Sequence, residues 1–288
     1  MQVTQIERCW RASRPDLVVS LIPHFNRARH EATRRLRPQV PFVTILTDLS
    51  DYPPHFWIEG GQDQYVVCGT PRAREQALAA GLPAEREFET SGMILNRGFY
   101  EPVEQAPPPA HAALGLDPAV PTALLMFGGA GSAVMPAIAQ RLDASGLTVQ
   151  LIAVCGRNEG LEASMRALSH RLPMHVTGFT GDVARLMRLS DFFIGKPGPG
   201  SISEAVAMGL PVIVECNRRT LPQERYNATW VEERGFGVTI RDFRRDIVGA
   251  VGVMLDPVRR AQFGERVKAY RNRAVFEIMG ILETILSV

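Results

Sequence analysis

No apolar run in this chain approaches the ~20 residues a membrane-spanning helix needs, so no transmembrane segment is expected. Cysteine is scarce: Cys9, Cys68, Cys155 and Cys216 are scattered, with no Cys-x-x-Cys pair. That spacing supports neither a metal site nor a disulfide framework. Cys155 and Cys216 sit in or beside apolar stretches, where buried thiols are expected, and this fits a reducing cytoplasm. Charge of one sign is also lacking. Lys and Arg total 32 and Asp and Glu 30, and a formal net charge of +2 gives no footprint of a general nucleic-acid binder. Met1 to Arg14 is polar and charged, without the apolar core of a signal peptide.

The 288 residues are 45% hydrophobic and 22% charged, ordinary material for folded domains, and the length suggests two of them. Strand-like apolar runs alternate with helical stretches. In the first third the expected strands are Leu17 to Ile22, Phe42 to Leu46 and Tyr65 to Cys68. Helices are expected from Arg27 to Arg37 and from Pro71 to Ala80, the latter stopping at Gly81. The runs are continuous rather than alternating, as in parallel strands covered on both faces. Pro102, Pro107, Pro108, Pro109, Pro118 and Pro121 then crowd one stretch and mark a linker. Beyond it, six strands are expected: Ala123 to Phe127, Val149 to Val154, Met174 to Val176, Asp191 to Ile194, Pro211 to Val214 and Gly237 to Ile240. The expected organisation is α/β. A partial Rossmann-like domain covers 1–103, a Pro-rich linker 104–121, a complete doubly wound domain 122–271 and a C-terminal helix 272–288.

Ligands of an open parallel sheet bind outside the carboxyl ends of its strands. The residues just after each strand of the second half therefore carry the functional reading. Most informative is the stretch from Ile194 to Ala205, in which Lys196-Pro197-Gly198-Pro199-Gly200 leads from a strand into a helix opened by Ser201. Free amides at a helix start favour an anion, glycines let it come close, and Lys196 adds a charge at the rim. Glu204 stands three residues after Ser201, a spacing that fits a capping box and equally a carboxylate accepting from a sugar diol. The loop suits a ligand with phosphate at one end and hydroxyls near the other. Read blandly, it is only a strand-to-helix connection.

Four more loops reach the same edge. Gly128-Gly129-Ala130-Gly131-Ser132 reads as a phosphate-cradling turn into a helix. Arg157 is placed to reach a diphosphate, and Phe179 to flank a base. Gln223, Glu224 and Asn227 open a further helix, although ordinary caps look similar. Convergence on one sheet edge outweighs any single loop.

These residues resemble a GT-B glycosyltransferase of family 28, most closely the monogalactosyldiacylglycerol synthases and more distantly the peptidoglycan-precursor GlcNAc transferase. In the first half the likeness rests on Pro15 to Ser20, Pro41 to Leu49 and Gly92 to Phe99. In the second it rests on Leu114 to Pro118, Gly128 to Ser132, Cys155 to Asn158, Gly178 to Thr180, Lys196 to Ser201 with Glu204, and Pro222 to Glu224 with Asn227. The resemblance implies a fold of two Rossmann-like doubly wound domains, the first incomplete, with a UDP-sugar in the second. Glu204 would bind the ribose hydroxyls and Phe179 would border the uracil. Gln223 and Glu224 would contact the donor sugar. Gly129, Gly131, Ser132, Arg157 and Lys196 would surround the diphosphate, with Gly198, Gly200 and Ser201 shaping the loop. It implies inverting transfer of a hexose to a lipid such as diacylglycerol, with no cofactor and no bound metal, because helix starts and cations stabilise the departing UDP.

The chain departs from the pattern at its front. Relatives open with an extra strand and a glycine-rich loop carrying a His, and this sequence starts after that region. Ile22 stands where relatives carry a His before Pro23, and His24 is its nearest substitute. Asp48 and His24 are therefore the candidate catalytic residues on the acceptor side, one of them as general base. The missing front also predicts exposed apolar sheet edge or face, and with it either poor solubility or a partner chain that supplies the missing part. Arg27, Arg29, Arg34, Arg35 and Arg37 crowd one stretch with His24 and His30, and Tyr52, Phe56 and Trp57 follow. Basic and aromatic residues together suit a peripheral contact with anionic lipid at the inner, cytoplasmic leaflet. Two other readings are a catalytically incomplete UDP-sugar-binding subunit and an isomerase like UDP-GlcNAc 2-epimerase.

Overall fold

Burial on both faces decides the architecture. Phe42–Ile45, Thr122–Met126, Gln150–Val154 and Phe192–Gly195 are strands in which every residue is buried. Such strands need helices on both sides and parallel neighbours. Among the described residues every strand pairing is parallel. The computed structural model describes residues 2–53, 55–100, 109–168 and 171–287. The chain forms two units, Met1–Asn96 with Arg271–Val288, and Arg97–Tyr270. The linker expected over 104–121 lies partly outside the described residues.

The first unit contains α1 (Gln2–Trp10), β1 (Val18–Ser20), α2 (Asn26–Leu36), β2 (Phe42–Ile45), β3 (Tyr65–Cys68), α3 (Pro71–Ala79) and β4 (Glu87–Glu89). Its strands lie in the order β1-β2-β3-β4. Sequence reading found three of these strands and missed β4 and α1. β4 reads Glu-Phe-Glu and carries little apolar signal; Glu87 is accommodated because Arg74 Nε lies 2.9 Å from its carboxylate. α1 has no buried residue, so it contributes nothing to an apolar pattern. α3 starts on a signal the sequence does carry: Thr70 Oγ1 accepts from Ala73 N at 3.1 Å, with Pro71 next.

The last helix of the chain belongs to this unit. Where Ile278 and Ile285 pack with Val43, Ile45 and Val67, it closes one face of the sheet. Glu277 Oε2 accepts from Ser91 N at 2.7 Å, and Asn272 Nδ2 donates to Met93 O at 2.8 Å. β1 lies at the sheet edge, and Val19, Leu21 and Ile22 are 39%, 44% and 53% exposed.

The second unit runs α4 (Pro109–Ala112), β5 (Thr122–Met126), α5 (Met135–Asp143), β6 (Gln150–Val154), α6 (Glu159–Arg166), β7 (Met174–Thr177), α7 (Val183–Arg188), β8 (Phe192–Gly195) and α8 (Pro199–Ala207). It continues through β9 (Val212–Glu215), α9 (Arg225–Arg234), β10 (Gly237–Ile240), α10 (Phe243–Leu255) and α11 (Pro257–Ala269). α12 (Ala274–Leu286) is the helix that returns to the first unit. All six expected strands of this half are present, in the order β10-β9-β8-β5-β6-β7. Cys155 is buried, and burial pushes its thiol up to about 11. Among the described residues no group of His, Cys, Asp and Glu is arranged to hold a metal ion, and no helix is long and apolar enough to cross a membrane.

Candidate functional site

The strand order of the second unit reverses between β8 and β5: β6 and β7 continue to one side, β9 and β10 to the other. Ligands of open α/β sheets bind in the crevice at such a point. Helix capping around it is uneven. α6, α7 and α10, beyond the flanking strands, are capped by side chains. Asn158 accepts from Leu161 N at 2.9 Å, Asp182 from Arg185 N at 3.3 Å and Asp242 from Arg244 N at 2.7 Å. α5 and α8, which follow the two central strands, and α9, which follows β9, have no side-chain cap. Met135 N at the start of α5 donates to Ser132 O, and α9 continues from the turn Pro222–Glu224 with Arg225 N on Pro222 O, so the start of α8, led in by Gly198 and Pro199, is the one suited to an anion.

The glycine turn after β5 has the geometry its sequence suggests. Gly128 and Gly131 have φ of 75° and 63°, and Gly131 N donates to Gly128 O at 3.2 Å. The turn is zipped to the loop after β6, where Arg157 N donates to Gly129 O at 2.8 Å and Asn158 Nδ2 to Ala130 O at 3.2 Å. Gly156, which sequence reading left without a role, is needed here: its φ is 65°, and a Cβ would run into Gly129 O. The Arg157 guanidinium lies over the Phe179 ring, 4.2 Å from its centroid, and Phe179 is 59% exposed. The expected diphosphate-binding cation and the expected base-flanking ring thus form one stacked pair.

The loop after β8 is joined to the start of α9. Lys196 Nζ lies 2.7 Å from Glu224 Oε1, and Asn227 Nδ2 donates to Pro197 O at 2.7 Å. Lys196 also reaches back towards the glycine turn, its Cε 3.8 Å from where a Cβ on Gly128 would be. Lys196, Gly198, Glu224, Asn227 and the turn at Gly128 are therefore gathered together. Gln223 is half-buried on the turn Pro222–Glu224. Glu204, on α8, is half-buried; no group among the described residues hydrogen-bonds its carboxylate, and burial raises its pKa.

Three details differ from the sequence reading. α8 begins at Pro199 with Gly198 as its N-cap, so Ser201 lies inside the helix and forms no capping box with Glu204. Proline prefers the first helical position, and that preference sets the boundary. Gly200 remains open, with no atom within 4 Å of an added Cβ. The glycine turn does not run straight into α5, because Ser132, Ala133 and Val134 intervene before Met135. Asn227 is wholly buried, and its side-chain amide donates to Pro197 O, so it supports the loop from beneath.

The two acceptor-side candidates lie in the first unit on one hydrogen-bonded network. Asp48 Oδ2 accepts from the Trp57 indole at 2.7 Å. Trp57 N donates to Asp51 Oδ1 at 2.7 Å, and Trp57 O accepts from Asn26 Nδ2 at 3.1 Å. Arg29 bridges Asn26 Oδ1 at 3.2 Å and His24 O at 3.0 Å. The His24 ring stands edge-on to Phe56 at 4.4 Å, beside an open depression of about 500 Å³ lined by Phe25, Pro53, His55 and Glu59. Burial raises the Asp51 carboxyl, while the amides of Trp57 and His55 pull it down. Trp57 is 1% exposed, which removes it from the aromatic residues expected at a lipid surface. Nothing in sequence spacing signals its place against Asp48. Arg29, Arg34 and Arg35 are likewise committed within the fold, to His24 O, Val40 O and Glu31.

Two parallel-sheet units, the second with a glycine turn and an uncapped helix start at its switch point, define a GT-B α/β protein. The chain superposes on the S. aureus MnaA–UDP co-structure with a TM-score of 0.70 at 16% identity, covering 99% of this chain and 78% of that one. For Acinetobacter baumannii MurG the TM-score is 0.66 at 14% identity, covering 98% and 78%. At such identities the likeness is one of fold. Residues 123–248, within the second unit, match the glycosyltransferase family 28 C-terminal domain. The chain is 32% identical over 232 residues to the probable chloroplastic monogalactosyldiacylglycerol synthase of Glycine max, covering 77% of this chain and 43% of that protein. The chain spans about half the length of the curated relatives it matches.

Proposed function

We propose that this chain binds a UDP-sugar at the carboxyl edge of its second unit and is an inverting, metal-independent hexosyltransferase with a lipid acceptor such as diacylglycerol. The observation that carries the reading is the convergence at the switch point of the glycine turn at Gly128, the Lys196 loop with the uncapped start of α8, and the start of α9. The names of the relatives support a hexose and diacylglycerol, and the UDP co-structure supports the nucleotide. In this reading the acceptor hydroxyl gives its proton to a base, Asp48 or His24. The oxygen attacks the anomeric carbon as the bond to UDP breaks. Charge developing on the diphosphate is met by open amides and two cations, which supply the stabilisation a divalent ion gives elsewhere. Glu204 accepts from the ribose hydroxyls and Gln223 from the sugar. Exposed Leu21, Ile22, Phe25 and Tyr52, with Arg27, support a peripheral contact with anionic lipid at the cytoplasmic leaflet.

Calorimetric titration of UDP into the protein tests the donor site. Saturable binding is expected, weakened about tenfold in Glu204→Ala, as for loss of a charge-assisted hydrogen bond. Absence of binding to a folded protein would overturn the donor assignment. Incubation with UDP-hexoses, with and without diacylglycerol, then separates transfer from epimerisation by its products.

A further inference from the structure

Lys196 and Glu224 face a conflict of charge. A site for a diphosphate gains from the ammonium and loses from a carboxylate beside it. Yet Glu224 Oε1 lies 2.7 Å from Lys196 Nζ, and the Glu224 side chain is only 10% exposed while that of Lys196 is 43% exposed. A largely buried carboxylate needs a partner, and Lys196 is that partner here. The arrangement is built in around them. A Cβ on Gly198 would stand 3.3 Å from Lys196 Cε and 3.7 Å from Glu224 Oε1, so the missing side chain leaves room for the pair. Asn227 straps the Lys196 loop to α9 through Pro197 O, and Glu224 is the N-cap residue of α9. On its other side Lys196 borders Gly128 of the phosphate-cradling turn. A rotation of its own side chain carries the ammonium from Glu224 towards that turn.

We propose that Lys196 and Glu224 form an exchangeable ion pair that senses whether a bound nucleotide still carries its sugar. This rests on the UDP-sugar reading. A diphosphate draws Lys196 away, because it carries more charge than the carboxylate. Glu224 is then left poorly solvated, at a cost. A sugar nucleotide offsets the cost, since its hexose hydroxyls donate to Glu224. UDP alone offers no such donor, so the pair re-forms against it. The donor is held in preference to the nucleotide, and loss of the sugar on transfer weakens the grip on UDP and favours its release.

The test is titration of UDP, UDP-galactose and UDP-glucose into wild type, Glu224→Gln, Lys196→Met and the double variant, with circular dichroism to establish that each is folded. Glu224→Gln is expected to bind UDP about threefold more tightly, the scale of a partly exposed ion pair. The same change is expected to weaken the UDP-hexose that wild type prefers about tenfold, the scale of a charge-assisted hydrogen bond. In the Lys196→Met background, Glu224→Gln should tighten UDP by less than it does in wild type, because only the direct repulsion of the carboxylate remains and the competition for the lysine is gone. Equal weakening of UDP and UDP-hexose by Glu224→Gln would make Glu224 a fixed support and overturn the exchange. Unchanged UDP affinity would reduce it to a simple sugar contact and overturn the exchange as well. Failure of folded wild type to bind UDP at all would instead sink the donor site itself.

Discussion

Glu204 shows at the scale of one residue how a fold can hold a cost that the ribose hydroxyls of the proposed ligand would relieve. Burial lifts its carboxyl above the ordinary value of 4.5, and nothing among the described residues donates to it. The folded protein therefore holds this proton more tightly than the unfolded chain does. Its stabilising contribution is complete below pH 4.5 and is lost as pH rises through the elevated value. Glu204→Gln keeps the shape and removes the charge. The variant is expected to melt above wild type at neutral pH, with the gap closing as pH falls below the ordinary glutamate range. Asp51, raised for the same reason, is present in both proteins and drops out of the difference. Melting curves across pH check this; a constant gap would show that the charge on Glu204 costs nothing in the fold.

Elements were legible where burial is two-sided. The strands of the second unit stand out because apolar residues run through them without alternation, and observed ends differ from expected ones by at most one residue. β4 escaped because its buried glutamate depends on Arg74, a contact no local pattern encodes. The glycine turn was readable as a tight turn, since positive φ and close approach both demand glycine. The partnership of Lys196 with Glu224 was not, because it exists only where β9 lies beside β8. Trp57 against Asp48 was hidden likewise, by a loop whose return is fixed through Asp51 and Asn26. The turn carries its own prediction. At Gly131 φ is 63° and a Cβ would stand 2.8 Å from Cys155 O, so Gly131→Ala is expected to cost about 2 kcal/mol of stability and to spoil UDP binding. Gly129 has no atom within 4 Å of an added Cβ, so Gly129→Ala should unfold within about 0.5 kcal/mol of wild type. Urea denaturation compares them; equal losses would mean that the turn is not under the constraint its backbone shows.

At the scale of the molecule the chain is discontinuous in one unit and continuous in the other. The first unit takes its beginning from Met1–Asn96 and its closing helix from Arg271–Val288, whereas the second is the single stretch Arg97–Tyr270. Ile278 and Ile285 fill the face of the first sheet against Val43, Ile45 and Val67. Each such side chain is worth roughly 1.5–3 kcal/mol of burial. The polar ties from Asn272 and Glu277 add to that. Together these approach the ~5–15 kcal/mol that a whole domain commands. A chain ending at Tyr270 is therefore expected to lose the first unit and keep the second, whose core has no residue beyond Tyr270. It should show one cooperative unfolding transition in place of two, and amide exchange protection over β5, β6, β8 and β9 alone. The stretch from Arg97 to Tyr270, expressed by itself, should fold and bind UDP as the full chain does, because every residue assigned to the donor lies within it. Protection of β2 and β3 in the shortened chain would show that the first sheet stands without its returning helix.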